Sequence, residues 1–239
     1  MLIRYFQKGF NYSEDGPGNR LVIHLQGCNL SCPWCSNPEG MTLDGGTDIE
    51  SDALASEIIS CKRLFFDGGG VTFTGGECTL QKNALHDVLT RCKECGVHTA
   101  IETNGTCSYD SDLFDKVDLI ICDFKHYNTQ KLETAVGRVG EYKKNIRDYI
   151  KSGKPVVIRI ILVNGFNSER EDAENFAKFF SALPTESTTF EFLPYHEYGK
   201  VKWLRLGRKY RMENAFVSSD TVRIFEEIFK SHKLKTVRS

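Results

Sequence analysis

Six short apolar runs, at 21–26, 71–74, 98–103, 119–124, 156–163 and 189–193, constrain the fold of this chain more than any other feature. Each is rich in β-branched residues, nearly continuous in hydrophobicity, and bounded by Gly, Pro or Asn. Strands covered on both faces read this way. Helical patterns lie between them. Residues 48–61 carry Ile49, Leu54, Ile58 and Ile59 at helical spacing, and 80–95 carry Leu80, Ala84, Leu85, Val88 and Leu89. Segment 140–152 repeats the pattern with Tyr142, Ile146, Tyr149 and Ile150. Segment 168–182 opens on Ser168 with Glu171 three residues on, which predicts a capping box. The final pattern, 219–232, aligns Val222, Phe225, Ile228 and Phe229. Alternation of this kind predicts an α/β fold with a parallel sheet and right-handed crossovers. Six units are too few for a closed eight-unit barrel, which leaves an open partial barrel or a flat doubly wound sheet.

A chain of 239 residues is long enough for one large domain, and a single domain over 1–239 is expected. Its 31 Lys+Arg against 32 Asp+Glu give a net charge of −1, which offers no electrostatic case for nucleic acid. No apolar run approaches the ~18 residues of a membrane span. Residues 1–10 have no apolar core of a signal peptide, so a cytoplasmic protein is expected. Nine cysteines, an odd number, argue against a complete disulfide framework. Cys92 and Cys95 fall one turn apart in a helical pattern with no second pair nearby. They, with Cys61, Cys78, Cys107 and Cys122, carry no assigned role.

The polar motifs gather at strand ends. Just after the first run, Cys28, Cys32 and Cys35 stand at CxxxCxxC spacing with Trp34 before the last. Three thiolates can ligate three irons of a 4Fe–4S cluster and leave the fourth open to a ligand. Zinc would want a fourth His or Cys, and no His follows within ten residues of Cys35. Thr74-Gly75-Gly76-Glu77 ends the second run; its glycines allow close backbone approach to a ligand, and Glu77 adds a negative charge, although a plain strand-to-helix turn reads the same way. Glu102 and Asp123 end the third and fourth runs, and acids at neighbouring strand ends can share a cation or a polar ligand. Lys125 follows Asp123. Arg159 lies inside the fifth run, where a charge is costly unless paired. His196 follows the sixth run in Leu193-Pro194-Tyr195-His196-Glu197-Tyr198-Gly199-Lys200, and Asp15-Gly16-Pro17-Gly18 forms a turn before the first. Five of these motifs sit at or just after C-terminal strand ends, the active face of a β/α barrel, which favours the partial (β/α)6 barrel.

These motifs together resemble the radical S-adenosylmethionine (SAM) superfamily, and within it the glycyl-radical-enzyme activases. The cysteine motif, the Gly-Gly-Glu element, the LPYH segment and the DGPG loop carry the likeness from Asp15 to the last helix. The resemblance implies a partial (β/α)6 barrel with one 4Fe–4S cluster on Cys28, Cys32 and Cys35. It implies SAM contacts from Trp34, Gly75, Gly76, Glu77, Lys125, Arg159 and His196. Glu102 and Asp123 correspond to a monovalent-cation site, and Asp15 to a contact with the partner's glycine loop. Segment 36–67 holds only Cys61, so the extra eight-cysteine module of larger activases is absent and the chain resembles the short, pyruvate formate-lyase type. The implied activity is reductive cleavage of SAM to a 5′-deoxyadenosyl radical, which takes hydrogen from a glycine of a glycyl radical enzyme. Anaerobic operation, a monomer, and flavodoxin or ferredoxin as electron donor are implied with it. The alternatives are a radical SAM enzyme acting on a small molecule or peptide, and a non-enzymatic iron–sulfur protein. The DGPG and LPYH segments stand against the first; the open iron and the Gly-Gly-Glu element stand against the second.

Overall fold

The computed structural model describes residues 1–238 and divides the chain into two compact units. The first holds Met1–Asn29, Glu39–Thr103 and Cys107–Ile121; the second holds Leu30–Pro38, Asn104–Thr106 and the chain from Cys122 onward. The chain thus passes between them within the cysteine loop, between Pro38 and Glu39, on both sides of Asn104–Thr106, and inside a strand.

In the first unit, β1 (Leu2–Tyr12) turns through the DGPG loop into β2 (Asn19–Leu25), antiparallel to it, with Tyr12 opposite Asn19. The turn is closed by Ser13 N–H to Gly18 C=O at 3.0 Å. β3 (Thr47–Glu50) pairs antiparallel on the other side of β1 and leads into α1 (Ser51–Ser60). β4 (Gly70–Gly75), α2 (Lys82–Glu94), β5 (His98–Thr103) and α3 (Ser111–Phe114) follow, with β2, β4 and β5 parallel neighbours. β6 (Leu119–Asp123) begins in this unit. Four of the six residues of β4 are apolar or β-branched at its centre and fully covered, as a central parallel strand requires. Ala84, Leu85, Val88, Leu89 and Cys92 form the buried stripe of α2.

The second unit contains the end of β6, α4 (Thr129–Val136), α5 (Tyr142–Lys151), β7 (Val156–Leu162), α6 (Arg170–Ser181), β8 (Thr188–Pro194), α7 (Lys200–Arg205), α8 (Ser219–Ser231) and the short β9 (Thr236–Val237). β7, β8 and β9 are parallel neighbours in that order. Its core is aromatic: Phe124, Phe176, Phe180, Phe190, Phe225 and Phe229 are fully buried. Many of their contacts are edge-on, as between Phe124 and Phe176 at 5.2 Å. Each such ring contributes about 1.5–3 kcal/mol of burial. On β7 burial alternates, with Val156, Ile158, Ile160 and Leu162 covered and Val157, Arg159 and Ile161 on a half-open face.

β3 and β9 each have a single strand neighbour, so the sheet is open, and the α/β class with parallel central strands holds. Among the described residues no helix is long and apolar enough to cross a membrane.

Three expectations need correction. The helix expected over 48–61 begins only at Ser51, because Thr47–Glu50 pairs as an edge strand with Ile49 opposite Ile3. The capping box lies one residue later than expected: Glu169, not Ser168, is the N-cap, and its backbone N–H donates to Asp172 Oδ2 at 3.0 Å. The run over 80–95 opens as a 3-10 turn, Cys78–Gln81, before α2 starts at Lys82.

Candidate active site

In the first unit the Gly-Gly-Glu turn is packed against the chain entering Cys28. Gly76 N–H donates to Leu25 C=O at 2.9 Å and Glu77 N–H to Gly27 C=O at 2.8 Å. A Cβ on Gly76 would lie 2.0 Å from the Gly27 oxygen, and Gly75 has φ +107° with a Cβ position 2.5 Å from Leu25 N. Only glycine lets the two segments approach this closely. Gln26 reinforces the loop by donating from Nε2 to the carbonyls of Glu39 and Thr42, at 2.9 and 2.7 Å.

The acids that follow are held by threonines. Glu77 is fully buried, and its Oε1 accepts from Thr79 Oγ1 at 2.6 Å, Thr79 N–H at 3.2 Å and Thr103 Oγ1 at 2.9 Å. Thr74 Oγ1 donates to Glu102 Oε2 at 2.6 Å. Burial, with Glu77 and Glu102 beside it, pushes the Cys78 thiol well above the usual range, so it stays protonated.

Asp15 accepts from Asn11 Nδ2 at 2.6 Å, and its carbonyl accepts from Thr72 Oγ1 at 2.7 Å. Thr72 and Thr74 lie on the same face of β4, two residues apart. The DGPG loop therefore folds back onto the face that bears Thr74 and Glu102. Arg20, fully buried, supports it by donating from Nη1 to Pro17 C=O at 3.3 Å, from Nε to Thr72 Oγ1 at 2.6 Å, and from Nη2 to Val71 C=O at 2.7 Å.

In the second unit, Cys32 and Cys35 share a tight turn, with Cys35 N–H on Cys32 C=O at 3.1 Å. Cys35 Sγ accepts from Asn37 N–H at 3.3 Å, the kind of bond that stabilises a sulfur carrying negative charge. Trp34 is buried with its ring 4.9 Å from that of Phe166, so it anchors the loop. Lys125, nearly buried, reaches Asp123 Oδ2 at 2.6 Å. Its backbone is fixed by Tyr142 and Asn167, the Lys125 N–H donating to Tyr142 Oη at 2.6 Å and Asn167 Nδ2 donating to Lys125 C=O at 2.9 Å. Arg159 Nε meets Glu191 Oε2 at 2.7 Å across the β7–β8 register. His196, half-buried, accepts the Tyr198 N–H at Nδ1 (3.3 Å) and stacks on the Tyr198 ring at 4.0 Å. Burial lowers its pKa, so the ring is neutral at pH 7 with its proton on Nε2.

Cys28, Cys32 and Cys35 are all partly exposed, whereas Cys78, Cys92 and Cys122 are buried. Three accessible thiols on one loop fit a 4Fe–4S cluster as a donor set. Among the described residues, no three His, Cys, Asp or Glu side chains are gathered as a finished metal shell. Glu102 and Asp123, expected to share a cation, have different partners, Thr74 and Lys125. Thr74, Thr103 and Trp203 lie in or beside the sequence motifs but received no role there, and Glu191, Thr79 and Asn37 were not singled out. Of these Glu191 left a trace: one acid inside the sixth apolar run, matching one cation inside the fifth.

Comparison with known proteins settles the family. The Radical SAM superfamily profile matches residues 22–179. This chain is a member of the radical SAM superfamily. It is 34% identical over 217 residues to the pyruvate formate-lyase-activating enzyme of Staphylococcus aureus (strain USA300), covering 86% of both chains. The solved structure of a domain of pyruvate-formate lyase-activating enzyme from Bacteroides vulgatus ATCC 8482 superposes with a TM-score of 0.59 at 26% identity, covering 72% of this chain and 99% of that one. A radical SAM methyltransferase from Sphaerobacter thermophilus shares the fold, with a TM-score of 0.65 at 14% identity over 100% of this chain and 76% of that one. Membership implies a 4Fe–4S cluster and SAM as cofactors, and the chain is an enzyme of the activating oxidoreductase type.

Proposed function

We propose that this enzyme generates a glycyl radical on a partner enzyme of the pyruvate formate-lyase kind. The similarity that spans 86% of both chains carries the reading, and the DGPG loop, fastened by Arg20 and Thr72 to the face bearing Glu102, supports it. With the cluster reduced, bound SAM supplies a hydrogen-abstracting radical.

The remaining work belongs to the protein. Cys28, Cys32 and Cys35 would hold three irons of the cluster. Gly75 and Gly76 would bring backbone close to the ligand, and Glu77, fixed by Thr79 and Thr103, would receive the SAM ammonium. Lys125 and Arg159 would supply positive charge for its carboxylate. Neutral His196 donates from Nε2, and Trp34 closes the wall. Asp15 would accept backbone N–H groups of the glycine loop, which has no side chain to grip. Abstraction needs aim rather than acid or base. The enzyme works as a monomer in an anaerobic cytoplasm and draws its electron from flavodoxin or ferredoxin.

The test is anaerobic reconstitution with iron, sulfide, SAM and dithionite. Electron paramagnetic resonance reads the glycyl radical on a candidate partner, and chromatography reads 5′-deoxyadenosine. Asp15→Asn is expected to spare deoxyadenosine formation and to slow radical formation at least tenfold. No radical on any partner, with turnover of a small molecule instead, overturns the proposal.

A further inference from the structure

Residues 198–211 wrap the second part of the cysteine loop. A Cβ on Gly199 would lie 2.4 Å from the Cys35 carbonyl oxygen, so the backbones are in direct contact. Trp203 Nε1 donates to the same oxygen at 2.9 Å, Lys202 Nζ to Asn37 Oδ1 at 2.8 Å, and Arg208 Nη1 to Pro38 C=O at 3.1 Å. The rings of Trp203 and Tyr210 meet edge-on at 5.9 Å.

The outward side of this segment has a different character. Residues 200–211 hold six Lys or Arg and no acid, in a chain of net charge −1. Arg205, Lys209 and Arg211 are exposed and make no ion pair among the described residues. Between them Val201, Leu204 and Leu206 are 55%, 61% and 45% exposed. A solvated helix face mixes both signs of charge and hides its leucines. An apolar centre with a one-signed rim is the pattern of a surface that takes an oppositely charged partner.

We propose that residues 198–211 form the docking surface for a carboxylate-rich flavin protein that delivers the reducing electron. The apolar centre suits the dimethylbenzene edge of a flavin, and the cationic rim suits the carboxylates around it. From Trp203 a hydrogen bond leads to the Cys35 carbonyl, and covalent bonds lead on to Cys35 Sγ. One electron passes from reduced flavin to cluster; no bond forms or breaks, and no proton has to cross the interface. The proposal rests on the cluster ligation given above but not on the identity of the radical acceptor.

The test compares the cluster-loaded enzyme with the triple variant Arg205→Glu, Lys209→Glu, Arg211→Glu. Binding of a purified flavodoxin is measured by surface plasmon resonance at about 50 mM salt and again at about 500 mM, where exposed charges are screened. Unaltered enzyme is expected to bind at low salt and to weaken as salt rises. The variant is expected to bind at least tenfold more weakly at low salt while keeping its iron and its dithionite-driven SAM cleavage. Equal binding by the two proteins, no binding by either, or binding indifferent to salt overturns the proposal. A 2Fe–2S ferredoxin run in parallel and binding here in place of flavodoxin overturns the flavin assignment. Loss of affinity for the radical-accepting partner, with flavodoxin binding kept, assigns the face to that partner instead. Should the variant lose its cluster, the Gln triple variant and the salt titration of unaltered enzyme decide. Dithionite bypasses the carrier, so absence of a glycyl radical under dithionite counts against the activase reading alone.

Discussion

The strand-end carboxylates of the two units are stabilised by different chemistry. In the first unit Glu77 and Glu102 accept from the hydroxyls of Thr74, Thr79 and Thr103. In the second, Asp123 meets Lys125 and Glu191 meets Arg159. A hydroxyl donor solvates a carboxylate without cancelling its charge, whereas an ammonium or guanidinium makes a neutral pair. Burial first, and the carboxylates of Glu77 and Glu102 after it, raise the pKa of the Cys78 thiol beside these acids. The second unit presents cations already ordered by their own acids.

The cysteine loop is divided in the same way, with Cys28 in the first unit and Cys32 and Cys35 in the second. This yields the largest expected effect. Cys32→Ala should take anaerobically reconstituted protein from about four irons and four sulfides per chain to nearly none. Cys92→Ala, buried in α2, should leave the iron in place. Elemental analysis checks both, and iron retained without Cys32 breaks the assignment of the loop.

Next in size is the ion pair. Arg159→Met strands Glu191, whose side chain is only 4% exposed, and should lower stability by about 3–5 kcal/mol in urea denaturation. Adding Glu191→Met should restore most of the loss, because the stranded charge is what costs. A double variant no more stable than the single one would mean that Glu191 is satisfied by other groups.

The smallest effect belongs to the hydroxyl-held acid. Thr79→Val and Thr103→Val each remove one donor to Glu77 and should each cost about 1–3 kcal/mol. If either costs as much as breaking the Arg159 pair, the distinction between the two units fails.

Much of the fold was legible in the chain. The central strands were found because residues covered on both faces read as continuous apolar runs; His98–Thr103 has the boundaries the pattern predicted, and the others shift by one or two residues. β1 escaped notice because its residues, apart from Ile3, are half-buried or exposed although it pairs with β2 and β3, so no clean pattern appears. Ile49 matched a helical spacing, and only its pairing with Ile3 made it strand. The cysteine spacing, the Gly-Gly-Glu turn and the isolated charge of Arg159 were visible as local features.

The partners of those features were not visible. Thr103 reaches Glu77 across 26 positions, Glu191 reaches Arg159 across 32, and Trp203 reaches the Cys35 carbonyl across 168. Residue type and spacing along the chain determined which chemistry this protein carries and on which strand ends it stands. Tertiary structure decided which acids meet hydroxyls, which cations are already paired, and which segment covers the cysteine loop. The physical reason is that spacing is a property of neighbours in sequence. A hydrogen-bond partner is selected by strand register and by the fold-back of loops, which are set only when distant segments pack.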